Sequence, residues 1–103
     1  MIKGYVLPLG TVVKLKNGDQ ELMIMGRAQI SSFKGELGYF DYVSVLYPHG
    51  ATGATDFAFF NDEDVSEVIF EGYRNEQEVE FANSYGENAA NTSYPKLQIE
   101  EIT

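Results

Sequence analysis

The chain opens on a period-two pattern. Thr11-Val12-Val13-Lys14-Leu15-Lys16 sets β-branched and apolar residues against lysines, as in a half-buried strand. Asn17-Gly18 follows, a dipeptide that readily supplies the two positive φ values of a type I′ turn. Glu21-Leu22-Met23-Ile24-Met25 then returns, with Leu7-Pro8-Leu9-Gly10 leading in and Gly26-Arg27 closing the unit. The pattern predicts strand, tight turn, strand. Ala28 to Phe33 extends the second strand, and Lys34-Gly35-Glu36-Leu37-Gly38 reads as a loop. In Tyr39–Tyr47, Phe40, Tyr42, Ser44 and Leu46 point one way, and Tyr39, Asp41, Val43, Val45 and Tyr47 the other. Both sets are mostly apolar, which predicts a central strand.

Pro48 to Thr55 is a loop of small residues, and Asp56 to Phe60 a short strand. Asn61-Asp62-Glu63-Asp64 suits a single helical turn, with Asn as N-cap and acids where the helix dipole favours them. Ser66 to Glu71 reads as a strand with Val68 and Phe70 on one face and Ile69 on the other. After the connector Gly72-Tyr73-Arg74, Asn75 and Glu78 have capping-box spacing. Val79, Ala82 and Tyr85 recur at helical spacing, Phe81 meets Tyr85 at i,i+4, and Gly86 is a C′ stop, which predicts an amphipathic helix over about 76–85. Glu87 to Ser93 is a loop or a frayed extension, and Leu97 to Ile102 alternates in part as a last strand. The expected fold is a single α+β domain over 1–103: a small bent antiparallel sheet (about 5–71), one C-terminal helix, and a tail or edge strand over 86–103. An SH3-like, partly open barrel is the first choice, and a flatter sheet with the helix across one face the alternative.

Composition narrows the function classes. The 103 residues include seven Phe and seven Tyr, which argues against disorder, a composition that only the region after Tyr85 approaches. With no cysteine, disulfides, thiolate metal sites and a Cys nucleophile are excluded. MIKGYVLPLG does not read as a secretory signal, and no run approaches a membrane span, so a cytoplasmic protein is expected. The net charge of −9 is unevenly distributed. Residues 1–60 hold five cations and five acids, whereas residues 61–103 hold two cations and eleven acids. Nucleic acid and anionic membranes are therefore disfavoured as partners, and a basic protein is favoured.

Leu7-Pro8-Leu9-Gly10-Thr11-Val12-Val13-Lys14-Leu15, Leu22 to Arg27, Tyr39-Phe40-Asp41-Tyr42, Tyr47-Pro48-His49-Gly50 and Phe59-Phe60-Asn61 through Phe70-Glu71-Gly72-Tyr73 carry a resemblance. With them the chain, up to about Ala82, resembles a family of small proteins of unknown function from Gram-positive bacteria. Genes of that family cluster with type VII secretion loci and LXG-type polymorphic toxins. The resemblance implies an accessory factor: a chaperone or adaptor that holds an LXG-type toxin, or a secretion component, in the cytoplasm. An immunity protein that blocks the toxin is the alternative.

Candidate chemistry is sparse. His49, the only histidine, sits in a turn after proline; Asp41 or Asp56 could orient it and Ser44, Thr52 or Thr55 serve as nucleophile, yet no spacing demands it. Asp62-Glu63-Asp64, with Glu67 nearby, lacks the alternation and glycine of a calcium loop. Glu71, Glu76, Glu78 and Glu80 read as a solvated face rather than a glycosidase pair. There is no P-loop and no nucleophile elbow. Aromatics exceed what a small sheet hides, and Tyr is favoured at interfaces. The expected function is non-enzymatic protein binding through Tyr39, Tyr42, Tyr47 and Tyr73 together with Asp62, Glu63, Asp64, Glu67 and Glu71. No catalytic residue, metal or cofactor is assigned.

Overall fold

A computed structural model describes residues 6–16, 18–33, 35–51, 53, 57–90 and 94–97. The elements are β1 (Val12–Leu15), β2 (Leu22–Phe33), β3 (Glu36–Leu46), β4 (Phe57–Phe60), a 3-10 turn (Asp62–Asp64), β5 (Val65–Phe70) and α1 (Glu76–Ala90). The strands form one antiparallel five-stranded sheet in the order β4-β3-β2-β1-β5. The α+β class expected from sequence is found. The sheet is open, with β4 and β5 as its two edges and β5 returning beside β1, and α1 follows it, as expected of a small antiparallel sheet with one C-terminal helix.

The first two strands pair Val12 with Met23 and Val13 with Leu22, the register of a turn centred on 17–18. Asn17 itself lies outside the described residues. β1 is also held on its other edge, where Lys14 pairs with Glu67 and Leu15 with Val65. β2 and β3 make a long hairpin from Leu22↔Leu46 to Phe33↔Glu36. Glu36, Leu37 and Gly38, expected within a loop over 34–38, thus belong to β3, and Lys34 lies outside the described residues. Gly35 takes the turn's positive φ (82°), which frees Leu37 and Gly38 to join β3. β3 is internal, as its two apolar faces predict.

A register shift between Ile24 and Gly26 marks a bulge at Met25. The extra residue reverses the alternation of β2, so Arg27 shares a face with Ile24, opposite Tyr42. That face carries the core: Val6, Leu7, Val13, Leu22, Ile24, Tyr42, Phe60 and, from α1, Ala82.

Asn75 caps α1, its Oδ1 accepting from the Glu78 N–H at 2.8 Å. Glu78 does not complete a capping box. Its carboxylate faces Arg27 and Arg74 instead, at 2.8 Å from each guanidinium. Phe81 and Tyr85 meet as their spacing predicts, with ring centroids 5.9 Å apart. The helix does not stop at Gly86 but runs to Ala90. Glycine costs a helix only about 1 kcal/mol relative to alanine, and Tyr85, bonded to Asp41 of β3, holds this turn on the sheet.

Candidate functional site

Directly paired residues share a face of a sheet. Following the register across all five strands gives one row: Phe57 on β4, Val45 on β3, Met23 on β2, Val12 on β1 and Phe70 on β5. Every member is apolar. Val13 and Leu22, their immediate neighbours in sequence, belong to the core cluster that holds α1. Alternation therefore puts the row on the opposite side of the sheet from the helix. Val45 and Val12 in its middle are buried, whereas Phe57 and Phe70 at its ends are exposed, Phe70 at 63%. Val43 and Phe59, another directly paired couple, carry the apolar surface one step further along β3 and β4.

The β5 end of the row is an open strand edge. Val68, Ile69 and Phe70 are all exposed, and Tyr73, just beyond the strand, is 81% exposed. Glu67 and Glu71 lie in the same stretch and are exposed as well. Apolar groups beside acids on an unpaired edge give a surface that can take an apolar anchor and a cation together.

A second set of polar groups ties the sheet to α1, the 3-10 turn and the segment around Lys96. The Tyr42 hydroxyl donates to Asp62 Oδ1 at 2.6 Å and accepts the Leu7 N–H at 2.8 Å. Asp41 receives the Tyr85 hydroxyl on Oδ1 (2.9 Å), and the Lys96 ammonium (3.0 Å) and Asp62 N–H (2.9 Å) on Oδ2. Burial raises the pKa of Tyr42, with the bond to Asp62 adding to it. Burial likewise raises that of Tyr85, reinforced by the neighbouring Asp41 charge. Asp62 is pushed up by burial against the opposing effect of the Tyr42 hydrogen bond. Burial works against the charge on Lys96, but its bonds to Asp41 and Glu63 outweigh that and raise it. Each of these groups has a partner, so the cluster is a structural clasp between sheet, 3-10 turn, helix and the segment around Lys96.

The residues singled out from sequence do not form one patch. Tyr39 and Tyr42 are buried, which removes them from any contact surface. Tyr42 fills the core and packs on Phe60 at 5.3 Å between ring centroids. Tyr47 and Tyr73 are exposed. Asp62 is half-buried under the Tyr42 hydroxyl, and Asp64 is taken up by the Asn61 N–H at 2.9 Å. Glu63 is exposed and pairs with Lys96 at 3.1 Å. Glu67 and Glu71 flank the β5 edge. Sequence reading missed Val12, Met23, Val45 and Phe57 as one row. Apolar alternation places each on a face, but only the register brings them into one row.

His49 lies exposed in the turn after β3. Asp41, one of its two possible orienting groups, has both oxygens committed elsewhere. Asp56, Thr52 and Thr55 lie outside the described residues, and Ser44 donates to the Ala58 carbonyl at 3.0 Å. Among the described residues no group of acids or histidines is arranged to hold a metal ion. None of the described helices is long and apolar enough to cross a membrane.

The chain belongs to the family described as Domain of unknown function (DUF4176), whose model matches residues 6–81. The match takes in all five strands and the start of α1 and ends before the segment around Lys96. No curated protein and no solved structure matches the chain.

Proposed function

We propose that this protein is a non-enzymatic, acidic protein-binding module whose contact surface is the sheet face opposite α1. The row Phe57–Val45–Met23–Val12–Phe70 carries this reading, because it sets an unbroken apolar line across five strands away from the helix-bearing core. Phe57 and Phe70, the exposed ends of that line, suit a partner that brings its own apolar anchor. Glu67 and Glu71 at the β5 end, within the acid-rich residues 61–103, favour a basic partner. The resemblance to proteins encoded beside type VII secretion loci suggests the client: an LXG-type toxin or a secretion component, held in the cytoplasm until export.

The test is co-purification from a native host that expresses the neighbouring toxin, with an N-terminal tag and a Phe70→Lys variant as control. Recovery of the toxin or a secretion component by the wild type, and its loss with Phe70→Lys, supports the adaptor reading. A preparation with neither overturns it. Rescue of growth from the toxin, with no effect on export, transfers the same surface to an immunity role.

A further inference from the structure

β4 covers β3 only from Tyr42 to Val45. Beyond that, the β3 edge from Gly38 to Asp41 carries a different occupant, the strap Tyr94–Leu97. It lies parallel to β3, in a sheet whose strand pairs are all antiparallel, with Lys96 beside Tyr39. The Tyr39 N–H donates to the Pro95 carbonyl at 3.0 Å, and the Leu97 N–H donates to the Tyr39 carbonyl at 2.8 Å. The next rung of a parallel ladder would join the Asp41 N–H to the Leu97 carbonyl. The fully buried carboxamide of Asn61 stands between them, donating to the Leu97 carbonyl at 2.7 Å and accepting from the Asp41 N–H at 2.9 Å. Asn61 thus acts as a fixed peptide group that caps the groove and presents a donor to whatever main chain lies there.

Leu97 and Lys96 of the strap both meet side chains or backbone of the groove. Leu97 is buried against Gly38, where an added Cβ would stand 2.7 Å from Leu97 Cγ and 2.5 Å from the Pro95 oxygen. Lys96 reaches Asp41 at 3.0 Å and Glu63 at 3.1 Å. Main-chain bonds take any extended peptide, so the selectivity of such a groove lies in these two positions. Tyr94, Pro95 and Lys96 are exposed, so Leu97 is the one buried side chain within Tyr94–Leu97, and release of the strap also parts Lys96 from Asp41 and the Asn61 carboxamide from the Leu97 carbonyl. Such a release leaves Val13, Ile24, Phe60 and Ala82 packed, the condition for local opening without global unfolding.

We propose that the β3-edge groove is a binding site for an extended peptide of a partner protein, with a cation followed by an apolar residue, and that Tyr94–Leu97 is its resident intramolecular occupant. The sheet face that carries the Phe57–Phe70 row is a different surface, so either reading can fail without the other. The tethered strap competes at an effective concentration in the millimolar range. It lowers the apparent affinity for an incoming peptide by the fraction of time the groove stands open.

The test uses the full chain and a fluorescein-labelled peptide of residues 92–99, TSYPKLQI. Leu97→Asp in the protein releases the strap, and fluorescence polarisation should show the peptide binding this variant at least about tenfold more tightly than wild type. Peptides carrying Lys96→Glu or Leu97→Asp should bind neither protein. Equal binding by a folded Leu97→Asp protein and the wild type overturns the proposal. If that variant does not fold, amide exchange on the wild type decides. Exchange of the Leu97 N–H at least about tenfold faster than the Ile24 N–H indicates an exchangeable strap. Equal protection makes it a permanent staple and overturns the proposal.

Discussion

The Tyr42 hydroxyl stands between Leu7 and Asp62, accepting the backbone N–H of the first and donating 2.6 Å to the carboxylate of the second. One oxygen therefore ties the lead-in segment before β1 to the 3-10 turn after β4, through a ring that fills the core. Tyr42→Phe keeps the ring and leaves the Leu7 N–H without its acceptor. Loss of a buried partner costs about 1–3 kcal/mol. In a domain of this size each kcal/mol lowers Tm by about 4–8 °C. Urea unfolding should show a lower midpoint with an unchanged m-value; an unchanged midpoint would mean that the hydroxyl contributes nothing to stability.

Alkaline pH should unfold the protein through its tyrosines. Burial raises the pKa of Tyr39, Tyr42 and Tyr85 in the fold, so each keeps its proton there longer than in the unfolded chain. The sign follows: their stabilisation is complete below the unfolded tyrosine pKa of about 10 and is lost as pH rises beyond it. Lys96, also raised, acts in the same direction around its ordinary value of about 10.4. Stability should be flat from pH 7 to 9 with respect to these groups. Above pH 10 it should fall by about 1.4 kcal/mol per pH unit for each tyrosine that ionises only on unfolding. Denaturant titrations of wild type and Tyr42→Phe check this, because the variant's slope should be smaller by one proton.

Strands, their order of appearance, the Asn75 cap and the Phe81–Tyr85 pair are legible in sequence because each rests on local spacing. What sequence does not disclose depends on partners far along the chain. Tyr42 carries the same letter as exposed Tyr73, and only the position of Leu7, 35 residues away, makes it a core residue. Asn61 reads as an N-cap, yet its carboxamide serves Asp41 and Leu97. The bulge at Met25, which turns Arg27 to the helix side, has no local signal strong enough to fix it. The apolar row from Phe57 to Phe70 is hidden for the same reason: its members are ordinary strand residues until pairing aligns them.

Glu78 sits between two guanidiniums. Arg27 grips it with 2.8 Å and 2.9 Å contacts while lying 4.2 Å over the Phe81 ring, and Arg74 adds a third contact at 2.8 Å. The Arg27 and Glu78 side chains are only 10% and 11% exposed. Removing one partner of a buried ion pair strands the other, at about 3–5 kcal/mol. Glu78→Ala should therefore destabilise by about 3 kcal/mol, given two cations left facing each other. Glu71→Ala, which removes only the half-exposed contact to Arg74, should stay within about 0.5 kcal/mol. Thermal unfolding of the two variants side by side tests the contrast.

Gly72 is where the chain after β5 passes over the turn before β1. An added Cβ would lie 2.1 Å from the Leu9 carbonyl oxygen, a backbone atom that cannot swing aside. The same crossing is stitched by Thr11, whose Oγ1 accepts the Gly72 N–H at 3.0 Å and donates to the Pro8 carbonyl at 2.7 Å. Gly72→Ala must push the two segments apart, at about 1–3 kcal/mol for overpacking of this kind. Gly86→Ala, inside α1 with open space around its Cβ position, is the control and should not lower Tm.

The contact surface can be separated from stability at Phe70. With 63% of its surface exposed, Phe70 gives the fold little, so Phe70→Lys should shift unfolding by no more than about 0.5 kcal/mol. Its effect on partner capture should be large, because it puts a cation at the end of the apolar row and beside Glu71. Replacing Glu67 and Glu71 by Gln leaves the row intact and removes their charge, together with the Glu71 ion pair to Arg74. If acids guide the partner, wild-type affinity should weaken from low to physiological salt, where screening acts beyond about 8–10 Å. The double replacement should weaken that dependence. Affinity that is insensitive to salt yet lost in Phe70→Lys would assign recognition to the apolar row alone. Affinity unchanged by either variant would place the partner on another surface.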